Sequence, residues 1–359
     1  VKNAPFLNLV LAVILVIAVG WLLVAGRPII LPIVTAVISV YVMVSASDML
    51  GRMPILGRAP KILLRALVLL AFTVAVLAFA VVVAGTVRDI AAALPVYQEN
   101  IEAMVQAVAQ RFDLESQMLW DEIRAVTLER IDMQQLVLAA LGGFTSVGIT
   151  VFLVVIYAGF LIGERGVFPA KISAALTDAE TASKTLRVIT DINGQISQYL
   201  SVKTLINLIL GLISYAILWL LGVDFALFWA ITIALLNYIP YVGSYLGVAF
   251  PVILSLGQFA SLQTTLVLLA MLVAAQVWVG NVLEPRWIGR QLNMSPFVVL
   301  VALSVWSALW GIPGAILAIP MTSILIIVTS NFESTRFIAV LLSERGDTAR
   351  PEPAKENAA

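Results

Sequence analysis

Apolar residues run along this chain in long blocks. Phe6 to Gly26, Ile29 to Ala46, Leu63 to Gly85, Leu138 to Gly163, Leu205 to Gly222 and Thr264 to Leu283 are close to or above the roughly 20 residues that carry a helix across a hydrocarbon core. Each predicts an ordinary membrane span. Two more apolar stretches, 225–256 and 296–330, are too long for one span and short for two with a loop. Both are broken near the middle, at Asn237-Tyr238-Ile239-Pro240-Tyr241-Val242-Gly243-Ser244 and at Trp310-Gly311-Ile312-Pro313-Gly314. Proline removes a backbone donor and glycine weakens a helix, so each stretch predicts two tight spans or a re-entrant hairpin. The pattern as a whole predicts an all-α integral membrane protein of about eight transmembrane segments, two of them interrupted by Pro and Gly.

Between the spans the periodicity changes. In Thr86 to Gln135, Ile90, Leu94, Tyr97, Ile101, Val105, Val108 and Phe112 recur at intervals of three and four, the mark of a helix with one apolar stripe. That stripe fits an oligomer contact or a cap over a transport path, and equally a helical hairpin packed on its own membrane helices. A second amphipathic stretch, Ala170 to Lys203, suits a helix on the membrane surface or a solvated linker. The organisation read from these shifts is N-terminal membrane helices in 1–85, an extracytoplasmic helical segment in 86–137, a membrane helix in 138–163 and a cytoplasmic linker helix in 164–204. A C-terminal transport region in 205–330 and a tail in 331–359 follow. The Glu-, Arg-, Pro- and Ala-rich sequence from Ser343 onward predicts disorder. The first apolar run is longer than a signal-peptide core and lacks a small-x-small cleavage context, so it reads as a retained span.

Composition sharpens this picture. Hydrophobic residues make up 61% and charged residues 12%, against the roughly 25% charged of a soluble domain. Net charge is zero and the basic residues are dispersed, which speaks against a nucleic-acid partner. Cys and His are absent, removing disulfides, thiolate nucleophiles and imidazole ligands, and neither a cofactor nor a metal site is expected. Lys and Arg fall mostly in loops that are cytoplasmic if both termini are inside: Arg52, Arg58 and Lys61 in one, Arg165, Lys171, Lys184, Arg187 and Lys203 in another.

Unpaired peptide groups are costly in hydrocarbon, so broken backbone at membrane depth must be buried in protein or face a wet cavity. The two breaks are therefore the leading candidates for solute binding or gating. Asn237, Tyr238, Pro240, Tyr241, Gly243 and Ser244 belong to the first, Gly311, Pro313 and Gly314 to the second. Pro and Gly also serve simply to kink and pack membrane helices, which remains the competing explanation for any one of them. Gln276 and Asn281, amides at or near membrane depth, join the candidates, with Gln276, Gly280 and Glu284 spaced to share a helical face. Asp224 and Glu284, both near span ends, are the candidates for ion coupling, although Glu284 also suits a plain salt bridge to Arg286 or Arg290. Trp219 and Trp287 read as headgroup anchors. The six full spans hold no acid in their apolar cores, which favours a neutral polar solute over ion exchange.

At Leu221-Gly222-Val223-Asp224-Phe225-Ala226-Leu227, Ile239-Pro240-Tyr241-Val242-Gly243, Asn281-Val282-Leu283-Glu284-Pro285-Arg286, Leu292-Asn293-Met294-Ser295-Pro296 and Gly311-Ile312-Pro313-Gly314-Ala315-Ile316-Leu317-Ala318-Ile319-Pro320, the chain resembles the autoinducer-2 exporter family of bacterial membrane proteins. Ser244 departs from it, since the family often has Pro there. The resemblance covers nearly the whole sequence. It implies a multi-pass inner-membrane permease, a homo-oligomer that is a pentamer, and export of a small signalling molecule of quorum sensing; some relatives resemble Na+(Li+)/H+ antiporters. Export of a small polar solute is thus the leading expectation, with antiport through Asp224 or Glu284 and a flux-free structural or regulatory oligomer as alternatives. An intramembrane enzyme is disfavoured: Ser244 has no His partner, and no paired-aspartate, HExxH or P-loop motif is present.

Overall fold

The computed structural model describes residues 4–51, 59–112, 152–164, 166–176, 178–287 and 294–344. The rest of the segment expected outside the membrane, beyond Phe112, the start of the span expected from Leu138, Arg290 and the tail beyond Glu344 lie outside the described residues. Those described are helical almost throughout. In chain order the elements are α1 (Ala4–Ala25), α2 (Arg27–Gly51), α3 (Lys61–Phe112), α4 (Phe152–Glu164), α5 (Phe168–Ala175), α6 (Ala179–Leu220), α7 (Ala226–Leu236), α8 (Val242–Phe259), α9 (Leu262–Trp278), a π turn (Val279–Leu283), α10 (Glu284–Trp287), α11 (Pro296–Trp310), α12 (Ile312–Ser330) and α13 (Arg336–Leu342). Among the described residues, six helices are long and apolar enough to cross a membrane, or seven if α4 and α5, bent by 69°, form one broken span.

Local chemistry sets the boundaries. Ser261 accepts the Thr264 N–H at the start of α9, and Ser295 accepts that of Val298 at the start of α11, each relieving a first-turn donor that has no helical partner. Pro296 follows Ser295 in the first turn, where a missing N–H costs nothing. Gly222, at φ 69°, closes α6 in a left-handed conformation that disfavours a Cβ.

Two helices are longer than the sequence pattern suggests. α3 has 52 residues and continues through Gly85 into the stripe expected outside the membrane; α6 has 42 and joins the amphipathic linker to the span from Leu205 without interruption. The α6 junction contains no Gly or Pro, and Gly85 in α3 is an isolated glycine of the kind a helix tolerates. For α3 the stripe packs on the protein's own helices: Tyr97 is buried, its Cβ lies near Gly257 of α8, and Asn100 donates to the Gly257 and Gln258 carbonyls.

The chain divides into two compact units. One comprises Met43–Gly159 and Ser201–Gly289, the other Val1–Val42, Phe160–Leu200 and Arg290–Ala359. The core of the first is a cluster around Ile206, Leu210, Leu218, Ile233, Leu268, Leu272 and Val279, contributed by α6, α7, α9 and the π turn. In the second, α11 and α12 fold back on each other, and Met294 bridges Ser343 just past α13, so Ser343 itself is part of the ordered fold and not of a disordered tail.

Candidate functional site

Both predicted breaks are real. In the first, α7 ends at Leu236 and α8 begins at Val242, with Tyr241 at φ 61° and ψ −62° between them. Gly243 lies against the Leu236 carbonyl and Gly247 against Ile233. Contact positions that advance on one helix while receding on the other make the pair an antiparallel hairpin. A Cβ on Gly243 would stand 1.8 Å from the Leu236 oxygen, so the hairpin is closed by backbone against backbone. With 11 residues α7 rises about 16 Å, half a hydrocarbon core, and the region is a broken hairpin and not two full spans.

The hairpin's turn is held by α6. Asn237 is buried and donates from Nδ2 to Oδ1 of Asn207 at 2.8 Å. Tyr238 shares a hydroxyl–hydroxyl hydrogen bond of 2.7 Å with Thr204, and the Asn207 amide is a further neighbour of its oxygen. One residue before Thr204, the buried Lys203 forms an ion pair with Glu284. Lys203, Asn207, Gly211 and Ser214 are spaced four, four and three apart on α6, so they share a face. Gly211 lets that face approach α7, where a Cβ would meet Ala234 at 3.1 Å. The result is a polar seam within an apolar core, carrying an ammonium, a carboxylate, two hydroxyls and two amides.

Several expectations need correction here. Lys203, expected among solvated linker charges, is buried in a helix that runs on without interruption into the next span. Glu284 pairs with Lys203 and not with Arg286. Gln276, Gly280 and Glu284 do not share a regular α-helical face, because the π turn Val279–Leu283 intervenes. Its physical cause is Pro285, which has no N–H and whose ring would press on the carbonyl four residues back; widening the helix relieves that contact. Asn281 in the π turn is exposed. Gln276 is half-buried, its Nε2 buried and without a hydrogen bond among the described residues.

The other predicted residues serve elsewhere. Tyr241 is exposed, and Pro240 and Ser244 are half-buried beside the turn. Asp224 accepts from the Tyr97 hydroxyl at 2.6 Å, and its N–H donates to Gln258, so it ties α3 and the end of α8 to the α6–α7 turn. Asp224 and Glu284 do not form one ion site: Lys203 and Leu220 are separated by roughly 25 Å of helix rise, with Glu284 at the first and Asp224 just beyond the second.

The second break belongs to the other compact unit. Gly311 is at φ 68°, and Pro313 opens α12. A Cβ on Gly314 would stand 1.9 Å from the Trp306 carbonyl, while Trp306 Nε1 donates to Thr322 at 3.1 Å, so α11 and α12 form a second antiparallel hairpin with backbone contact at its turn. Trp310, fully buried, donates to the Leu23 carbonyl at 3.0 Å. A cleft of about 580 Å³ in this unit, lined by Leu176, Ala182, Arg187 and neighbours near the start of α6, contains none of the candidate residues.

The sequence reading missed Lys203, Thr204 and Asn207 as well as the Tyr97–Asp224 link. The first three carried a signal: polar and small residues at helical spacing entering an apolar span. Tyr97 carried none, because one aromatic in an apolar stripe looks like packing.

Comparison with known proteins agrees with this architecture. The pattern of the AI-2E family transporter matches residues 9–334. Relatives bearing the name "Putative transport protein" occur in Borreliella burgdorferi (strain ATCC 35210), 33% identical over 69% of this chain and 67% of its own, and as YhhT in Escherichia coli (strain K12), 32% identical over 60% and 61%. The AI-2 transport protein TqsA of Escherichia coli (strain K12) is 27% identical over 87% of this chain and 89% of its own. Matched over most of its length and built of membrane-capable helices, this chain is a multi-pass membrane protein that belongs to the AI-2E family of transporters.

Proposed function

We propose that this protein exports a small polar solute, an AI-2-like signalling molecule, across the bacterial inner membrane, and binds it at the seam between α6 and the tip of the α7–α8 hairpin. The observation that carries this reading is the buried Asn207–Asn237 hydrogen bond at the break, flanked by Thr204–Tyr238. Polar groups gathered at a backbone break inside an apolar helix bundle form the arrangement a carrier uses to bind solute at membrane depth. The reading places both termini in the cytoplasm and takes the working form to be a homo-oligomer, a pentamer by likeness to the family. Gln276, whose amide nitrogen is buried without an acceptor among the described residues, is a second binding group, and the α11–α12 hairpin with Gly311, Pro313 and Gly314 is a gating element. Antiport has no comparable support, since Asp224 and Glu284 are far apart and each is already engaged.

The test is counterflow of a labelled AI-2-like solute in proteoliposomes. Asn237→Ala and Gln276→Ala should lower flux while the protein still elutes as the wild-type assembly. Wild-type protein that moves no solute, with or without a proton gradient, rejects the reading in favour of a structural oligomer.

A further inference from the structure

Lys203 is a cation in a place where an apolar core tolerates none without compensation. Its side chain is 8% exposed, whereas that of its partner Glu284 is 28% exposed. The pair is therefore unequal. Left alone, Glu284 has open space to turn toward; Lys203 is enclosed, and a buried ammonium without a counter-charge is strongly unfavourable. Their supports differ as well. Lys203 stands on an unbroken α-helix, while Glu284 follows the π turn Val279–Leu283 and precedes Pro285 in a helix of four residues. A π turn is an irregular register, and such turns occur frequently at functional sites. Within one turn of Lys203 on α6, Thr204 and Asn207 present the hydroxyls and amides shared with Tyr238 and Asn237. A lysine ammonium has three donors, and Glu284 is its ion-pair partner among the described residues.

Resting on the export reading above, we propose that Lys203 is the solute-binding cation of the seam, that it takes solutes bearing an anionic oxygen group such as a carboxylate, and that Glu284 occupies it between transport cycles. The arriving anionic group replaces the Glu284 carboxylate on the ammonium, and Glu284 moves with the π turn into water. Departure of the solute lets it return, so Lys203 is never left bare. The expectation of a neutral solute counted acids within the spans and left Lys203 in a loop; a buried cation with a displaceable partner reverses it.

The probe is glycolate, with glycolamide as its neutral counterpart, at constant ionic strength on the full-length protein. Thermal unfolding midpoints and counterflow of labelled glycolate are read. Glycolate, and not glycolamide, should raise the unfolding midpoint. Glu284→Gln removes the internal competitor and should lower the half-saturating glycolate concentration about tenfold, as expected when a competing state no longer withholds the site. Lys203→Gln should abolish the response. Because either single variant strands one charge, the exchange Lys203→Glu with Glu284→Lys is the control: it should fold like wild type yet lose the glycolate response. No glycolate effect on Glu284→Gln, an unchanged response in Lys203→Gln, or a wild-type anion response in the exchanged protein overturns the proposal. If the wild type carries no solute while Glu284→Gln still binds glycolate, the export reading fails and the Lys203 site stands. If Lys203→Gln carries an AI-2-like solute at the wild-type rate, export stands and the role of Lys203 falls.

Discussion

Asn237, at the turn of the α7–α8 hairpin, donates to Asn207 on α6 across 30 residues of sequence, and both side chains are buried. In an apolar core each amide is tolerated because the other is there. The bond fixes where the hairpin's turn meets the long helix and also assembles the polar groups assigned to the solute.

Removing either partner orphans the other. Asn207→Ala and Asn237→Ala should each lower the stability of the solubilised protein by about 1–3 kcal/mol, the cost of an unmet buried polar group. The double variant should lose less than the sum of the two, a non-additivity that thermal or denaturant unfolding would measure. Strict additivity would mean that the two amides do not interact in the folded protein.

Backbone closure of the hairpins predicts a sharp contrast among glycines. Gly243→Ala and Gly314→Ala place a methyl within 1.8 Å and 1.9 Å of a carbonyl oxygen, whereas Gly280→Ala meets nothing within 4 Å. The first two should yield misassembled protein on size-exclusion chromatography. The third should behave as wild type, since alanine is also the better helix former.

Tyr97→Phe isolates one hydrogen bond between α3 and the α6–α7 turn. The ring's packing is kept and the 2.6 Å bond to Asp224 is lost, so a destabilisation of about 0.5–1.5 kcal/mol is expected. Asp224→Asn, which preserves an acceptor, should be milder than Asp224→Ala. The reverse order by unfolding would contradict the geometry.

Asp178 gives a pH-dependent helix start. Its carboxylate accepts from the Thr181 hydroxyl and the Thr181 N–H, then from the Glu180 N–H, and these bonds hold its pKa below the usual carboxylate value. The folded state thus favours the charged form. The cap is fully effective above the ordinary carboxylate pKa and is lost as pH falls through the lowered one. Hydrogen exchange at the first-turn amides of α6 should accelerate relative to mid-helix amides over that acidic interval, and in Asp178→Ala the relative rate should be flat with pH.

Much of the fold was legible because lipid imposes a simple rule: apolar runs of sufficient length become helices, and Pro-Gly clusters inside them become breaks. The turns at Asn237 to Tyr241 and at Gly311 follow from that rule alone. It could not show where helices fail to stop. α3 and α6 pass through places where composition changes from apolar to mixed, because amphipathic and apolar stretches are equally good helices and only a turn signal separates them. Of the candidates chosen for sitting at a break, Asn237 and Tyr238 point inward and Tyr241 faces outward, a difference that sequence spacing cannot distinguish within an irregular turn. Lys203 was hidden for a related reason. A lysine at a span's edge normally reaches for water, and burial by a partner 81 residues away is a tertiary fact.

The π turn before Glu284 amounts to one residue more than an α-helix requires, and a surplus residue swings all that follows by about a quarter of a revolution. The carboxylate meets the ammonium through an insertion, then, as much as through its own identity. Deleting Val282 would keep both charges and re-aim one of them, so the pairing can be erased by a change of length alone, with no substitution at either partner.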